Sequence, residues 1–394
     1  MTLRPPRLAG LLNLHSGFVM VSAQVAGNFF AVYLLQAGLG LAATFLALGA
    51  VLAVRFVLRF LVLWLVPKLG LRRSLALGTV VRALQFIPLA YASHPAGLVG
   101  WIVLMALADA LYWPLYHAMV AAVGAPAARG DQLGTLEAIR SLAGIVGPAL
   151  GGWLMASSGP APVFALGAVL QLAALWPLRA MTEIAPGPVP TARQSLKGDR
   201  LGFAIFVCDG LIQFGWSFVW SLALFTTLRS SFEAYGGALA LSGLVAALLG
   251  FTAGRALDLG HGGRLLMLVT ILMMLGLAAR MLAIGNGPAA VAINAFSVAA
   301  IALYNPLIMN TMYNRAHRLG PLSFHFFTES GWDIGGILGC LIAAAVASLG
   351  GSMAYAMLPA LLAMLVIRHC IKLSDGEMPA TQIGEIGEYD PSTP

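Results

Sequence analysis

The sequence predicts an all-α polytopic membrane protein whose twelve transmembrane helices form two pseudo-symmetric halves of six. Three observations predict it. Of 394 residues, 60% are apolar and only 9% are charged, with a mean hydropathy of +0.88, whereas a soluble domain carries about 25% charged residues. The apolar residues fall into twelve runs near the roughly 20 residues a helix needs to cross a hydrocarbon core. A constant offset of 192 residues relates segments of the first six runs to segments of the last six. Disordered, collagen-like and disulfide-scaffold chains are excluded by high apolarity, the lack of glycine periodicity and only three cysteines. Cys208, Cys340 and Cys370 have no C-x-x-C spacing and read as small hydrophobes.

In order, the runs are 14–36, 40–66, 74–93, 97–123, 133–157 and 161–179, then 201–228, 236–257, 264–285, 288–313, 323–349 and 353–371. Between the two sets lies EIAPGPVPTARQSLKGDR, Glu183 to Arg200, whose proline, glycine and charge mark a linker. The expected division is therefore 1–182, a cytoplasmic linker 183–200, 201–372, and an acidic disordered tail 373–394. The apolar stretch after Arg7 runs too long for a cleavable signal peptide and lacks an A-x-A site.

Loop charges set the orientation. Sixteen Lys and Arg residues fall in the loops and termini of one side and Arg229 alone on the other. Positive residues mark the cytoplasmic side, so both termini are expected inside, in a bacterial inner membrane. The net charge of +7 thus reads as topology rather than as a nucleic-acid footprint.

The 192-residue offset aligns ALYWPL at 110–115 with ALYNPL at 302–307, Glu137 with Glu329, Gly144 with Gly336 and Gly147 with Gly339. Gly70 and Arg72, after the second run, meet Gly262 and Arg264, after the eighth. A repeat of six spans keeps its orientation, which makes the halves parallel repeats about an axis along the membrane normal.

With these residues in place, the chain resembles the major facilitator superfamily over roughly residues 10 to 372. In the fifth span, Gly134, Ala143, Gly147, Pro148, Gly151 and Gly152 follow the spacing G-x8-G-x3-G-P-x2-G-G, with Ala at the second glycine. That pattern is similar to the antiporter motif of the family's proton-driven exporters. Small residues admit a close neighbouring helix, and proline bends the helix at the seam. The family's loop signature is partly present. PKLGLRRSL supplies Lys68, Gly70, Arg72 and Arg73 but has Pro67 where the acid belongs, and GRALDLGHGGRLL keeps Gly254, Asp258, Gly262 and Arg264 with one extra residue. The arginine usual in the fourth span of the family's drug exporters is absent.

Acids within spans cost roughly 2.5–3.5 kcal/mol each at the bilayer centre on insertion scales. Five occur: Asp109, Glu137, Asp209, Glu329 and Asp333. Glu329 and Asp333, four apart, share one helix face and are expected to hold one proton between them. Asp209, Glu329 and Asp333 are the expected proton carriers, with Asp109 next. Glu137 reads equally well as a helix-start acid paired with Arg140. Arg55, Arg59, Arg82, Arg140 and Arg280 also fall within spans, so mutual neutralisation is the competing reading for all ten.

Asn28, Trp113, Gln213, Trp216, Tyr304 and Asn305 supply candidate polar and aromatic contacts to a substrate. His117 and Met309 coincide in the repeat. They read as a polarizable cavity wall rather than a soft-metal site, because no cysteine or repeated Met-x-x-x-Met spacing accompanies them. His325 is a further group able to titrate near neutrality. Walker A, H-E-x-x-H and G-x-S-x-G motifs are missing, so no enzyme activity and no cofactor is expected. The reading is a monomeric, proton-coupled exporter of a small amphipathic molecule working by alternating access. Alternatives are an importer of a nutrient, siderophore or metal complex, a lipid flippase, and a non-transporting sensor or assembly factor on a carrier scaffold.

Overall fold

The computed structural model describes residues 5–123, 129–184, 198–257 and 262–376. Within them the chain makes twelve helical passages: α1 (5–36), α2 (41–69), α3 (71–89), α4 (Pro95–Val123), α5 (Arg129–Ser158), α6 (160–180), α7 (200–227), α8 (Phe232–Leu257), α9 (Gly262–Ala283), α10 (Gly287–Leu319), α11 (Pro321–Ser348) and α12 (Met353–Gly376). Nine helices among the described residues are long and apolar enough to span a membrane, and Leu142–Ser158 and Phe232–Leu248 form shorter apolar helices within α5 and α8. The remaining passage, α3, carries Arg72, Arg73 and Arg82, which keeps its mean hydropathy low. Large apolar side chains such as Trp64, Trp176, Leu248, Phe296 and Leu362 are exposed, as a lipid-facing belt requires.

Local chemistry sets the ends of the passages. Pro160 and Pro321 sit in the first turns of α6 and α11, where a missing N–H costs nothing. Asp199 caps α7 by accepting from the Leu201 N–H at 3.2 Å, and Asn286 caps α10 by accepting from the Ala289 N–H at 3.2 Å. Gly70 joins α2 to α3 with φ of 81°, a conformation L side chains rarely adopt. Inside α7 the helix widens into a π-turn at Phe214–Val219. Such turns insert a residue and often mark functional sites.

Two seams join the first six passages to the last six: α5 packs along α8, and α2 packs along α11. Within each set, α1 packs on α5 and α7 on α11. The buried core follows these contacts. One large cluster runs from Phe29 and Phe45 to Tyr304 and Met364, and a smaller one around Tyr112, Leu115 and Phe326 lies toward the end bearing Lys68, Arg72 and Arg315. That end is called the basic end below.

Candidate functional site

A cavity of about 480 Å³ lies between the two sets of passages. From the first set it receives Asn28, Arg55, Arg82, Asp109, Trp113 and His117. From the second it receives Asp209, Gln213, Met309 and Glu329, within a wall that is otherwise largely apolar and aromatic. Contacts between the sets are made by residues of the cavity wall and their neighbours. At the basic end, the ring of His117 on α4 stacks on His325 of α11 at 5.2 Å, and its Nδ1 is 2.7 Å from the Tyr313 hydroxyl of α10. At the opposite end, Phe30 meets Phe218 at 6.1 Å, and the Tyr235 hydroxyl donates to the Asn28 carbonyl at 3.3 Å.

The four expected proton carriers divide into two kinds. Asp109 and Asp333 are bound to arginine. Asp109 pairs with Arg82, whose guanidinium lies 4.7 Å over the Tyr112 ring. Asp333, fully buried, is gripped by both Arg55 and Arg59, and Arg55 also lies 4.8 Å over the Trp332 ring. Because the arginines are on α2 and the acid on α11, this clamp crosses the seam. The expectation that Glu329 and Asp333 share a proton therefore needs correction: Asp333 turns its carboxylate to the arginines, and Glu329 turns to the cavity.

Glu329 and Asp209 are the second kind. Glu329 Oε1 stands 3.7 Å from His117 Nε2, too far for a hydrogen bond. Asp209 accepts from the Tyr304 hydroxyl at 2.8 Å. Neither carboxylate touches an arginine or lysine among the described residues.

Tyr304 and Asn305 support the wall from behind, Tyr304 through Asp209 and Asn305 by accepting from Gln213 Nε2 at 2.9 Å. Trp216 lies outside the cavity, contrary to its expected role. The π-turn keeps Gln213, Ser217 and Ser221, each four apart, on the cavity wall. Trp216 instead packs under Arg280, 4.1 Å from ring centroid to guanidinium carbon. Arg280 Nη1 donates to the Trp216 carbonyl at 2.7 Å, and its Nε donates to Ser297 Oγ at 2.9 Å. A helix widened by one residue displaces backbone carbonyls from their usual partners, and a buried guanidinium here serves one of them. In the sequence Arg280 is simply a cation within the ninth span, and no pattern there signals the carbonyl it serves.

His325 is fully buried, and neither ring nitrogen has a hydrogen-bond partner among the described residues. Its neighbours are the rings of His117, Tyr313 and Phe324. An unsatisfied buried polar group costs about 1–3 kcal/mol. His325→Phe is therefore expected to raise the thermal melting point of the purified protein, and a lowered melting point would show that the imidazole is held for its polarity.

The motif residues sit at joints. Arg72 binds Glu183, with its N–H 2.8 Å and its Nε 3.4 Å from the carboxylate, which ties the α2–α3 turn to the segment after α6. Arg73 is exposed. Gly147 and Gly151 face α1, where an added Cβ would lie 2.5 Å from Gln24 Cβ and 2.2 Å from the Val25 carbonyl oxygen. Gly152 and Pro148 face α8: a Cβ on Gly152 would lie 2.5 Å from the Phe232 carbonyl oxygen, and one on Gly236 would lie 2.4 Å from the Pro148 carbonyl oxygen. Arg264 lies in the first turn of α9, whereas Asp258 lies outside the described residues.

The chain belongs to the Major Facilitator Superfamily, whose family model matches residues 12–340, and its fold implies secondary transport. Among curated proteins none matches the sequence. Among solved structures, the human organic anion transporter MFSD10 superposes with a TM-score of 0.68 at 16% identity, covering 94% of this chain and 100% of that one. A bacterial homologue of the iron transporter ferroportin in an outward-facing state gives 0.66 at 13% identity, over 95% and 100%. The transporter FucP in its outward conformation gives 0.65 at 14% identity, over 94% and 98%. At these identities the likeness is one of fold.

Proposed function

We propose that the protein exports a small amphipathic molecule in exchange for protons, with residues 1–182 and 201–372 rocking as two halves about the cavity. The observation that carries this reading is the pair of acids, Asp209 and Glu329, that face the cavity without an arginine or lysine partner among the described residues. A carboxylate in a low-dielectric site is stable when it is protonated or when it meets a cation. Asp209 and Glu329 can therefore take up and release a proton as the cavity changes sides, while Asp109 and Asp333 remain bound to arginine. The antiporter-like glycines of α5 favour export over import, and the excess of basic loop residues supports a cytoplasmic position for the basic end.

The reading is tested in proteoliposomes under an imposed pH gradient with a panel of amphipathic cations, anions and neutral molecules. At least one compound is expected to move uphill against the proton gradient. Asp209→Asn and Glu329→Gln should each cut that uphill flux at least tenfold while leaving gradient-free exchange of the same compound measurable. A panel with no response to the gradient, or unchanged uphill flux in both variants, overturns the assignment.

A further inference from the structure

The charges around the cavity nearly cancel, and the remainder points to the substrate. Arg82 and Asp109 neutralise each other. Arg55 and Arg59 share Asp333, and Glu329, four residues from Asp333 on the same helix face, lies in the field of both guanidiniums. With Glu329 ionised, those four groups carry two positive and two negative formal charges. Asp209 is left over. It lines the cavity beside Gln213 and Trp332, is only 8% exposed, and its carboxylate accepts from a neutral donor, the Tyr304 hydroxyl at 2.8 Å. Among the described residues no arginine, lysine or histidine pairs with it.

The surroundings of this residual charge are aromatic. Phe206, Phe214, Phe218 and Trp332 line the same cavity, with Trp113 facing them from α4. Aromatic faces carry negative quadrupoles and attract cations, most strongly where water is excluded. An anion would meet the opposite conditions. Both cavity-lining arginines are already occupied by acids, and the electron-rich ring faces would repel it. A neutral ligand would not answer the Asp209 charge itself and would leave that to a proton alone.

We infer that the transported molecule is a monovalent organic cation with an apolar body, its charge seated on Asp209 among the aromatic side chains. This rests on the transport function proposed above and deepens it. A cation and a proton are alternative occupants of one carboxylate, so the two cannot ride together on Asp209.

The experiment is equilibrium binding of tetraphenylphosphonium to the purified full-length protein at fixed pH with no gradient, corrected for uptake by empty micelles. Tetraphenylborate, the anion of nearly the same shape, is the matched competitor. Tetraphenylphosphonium is expected to bind at least tenfold more tightly than tetraphenylborate. Asp209→Asn should weaken the cation at least tenfold, Asp209→Glu should restore most of the affinity, and Gly237→Ala, outside the cavity and with open space around the added Cβ, should leave it nearly unchanged. Size-exclusion and melting profiles for each variant separate lost binding from misfolding. Equal or stronger binding of the borate, no binding of the phosphonium, or Asp209→Asn binding the cation like wild type would overturn the inference. Because no gradient is applied, the outcome stands apart from the coupling test. Cation binding without uphill flux would remove only proton coupling, and uphill flux of an anion or neutral compound would remove only the cation assignment.

Discussion

Asp333→Asn is expected to give the least stable of the single substitutions within the α2–α11 seam. Asparagine keeps the shape of the side chain and removes its charge, which leaves Arg55 and Arg59 facing each other with relative exposures of 4% and 1%. Breaking a buried pair by removing one partner costs about 3–5 kcal/mol, because the remaining charge is unanswered. Here two guanidiniums lose their contact carboxylate and keep only the more distant Glu329. Arg59→Met should cost less, since Arg55 still holds Asp333 and no unpaired arginine is created. The same reasoning predicts a rescue. Arg55→Met and Arg59→Met combined with Asp333→Leu remove all three charges, and replacing a buried ionic cluster by apolar side chains is often neutral or stabilising. The check is a melting series in one detergent, followed by tryptophan fluorescence. The expected order of melting points is Asp333→Asn lowest, then Arg59→Met, with the triple variant back near wild type. A melting curve for Asp333→Asn superimposable on wild type would mean that the three groups do not act as one ionic unit.

The same cluster marks where sequence reasoning stops. The cost of a charge in hydrocarbon is a property of the residue, so Asp109, Asp209, Glu329, Asp333 and the arginines stand out in the sequence itself. The partner of each charge is a property of the packing. Asp109 and Arg82 lie 27 positions apart and Asp333 and Arg55 lie 278 apart, and no periodicity links such positions. Helix spacing does place Glu329 and Asp333 on one face, but a face is wide enough for two neighbours: one looks into the cavity and the other into α2. Trp216 departs from its expected place for a different reason. A cavity position for it assumes that α7 keeps one turn geometry throughout, and the π-turn at Phe214–Val219 breaks that assumption. The span pattern is legible because lipid leaves the backbone so few options. The twelve passages therefore follow the apolar runs to within a few residues at most ends, while α3 is carried by its neighbours despite its arginines.

The glycines of the α5–α8 seam are half legible. The motif spacing marks Gly147, Gly151 and Gly152, but their partners Gly236 and Gly243 belong to no motif and emerge only when α8 is laid against α5. A Cβ on Gly243 would come within 2.3 Å of the Gly144 carbonyl oxygen. At Gly152 the nearest atoms are also backbone, the Phe232 carbonyl oxygen at 2.5 Å and Gly236 Cα at 3.0 Å. Backbone on a packed helix cannot swing aside as a side chain can, so Gly152→Ala must push α5 and α8 apart. Overpacking of this kind costs about 1–3 kcal/mol. Gly237, one residue along α8, is the matched control, with nothing within 4 Å of an added Cβ. There the higher helix propensity of alanine acts alone and is worth up to about 1 kcal/mol. Gly152→Ala is thus expected to lower the melting point and Gly237→Ala to hold or raise it, although both add the same methyl group. Transport should follow the same split, because α5 and α8 must keep their close approach while the halves tilt. Equal melting points for the two variants would mean that the seam has slack, and the close Gly152–Gly236 approach would then have no mechanical part in the cycle.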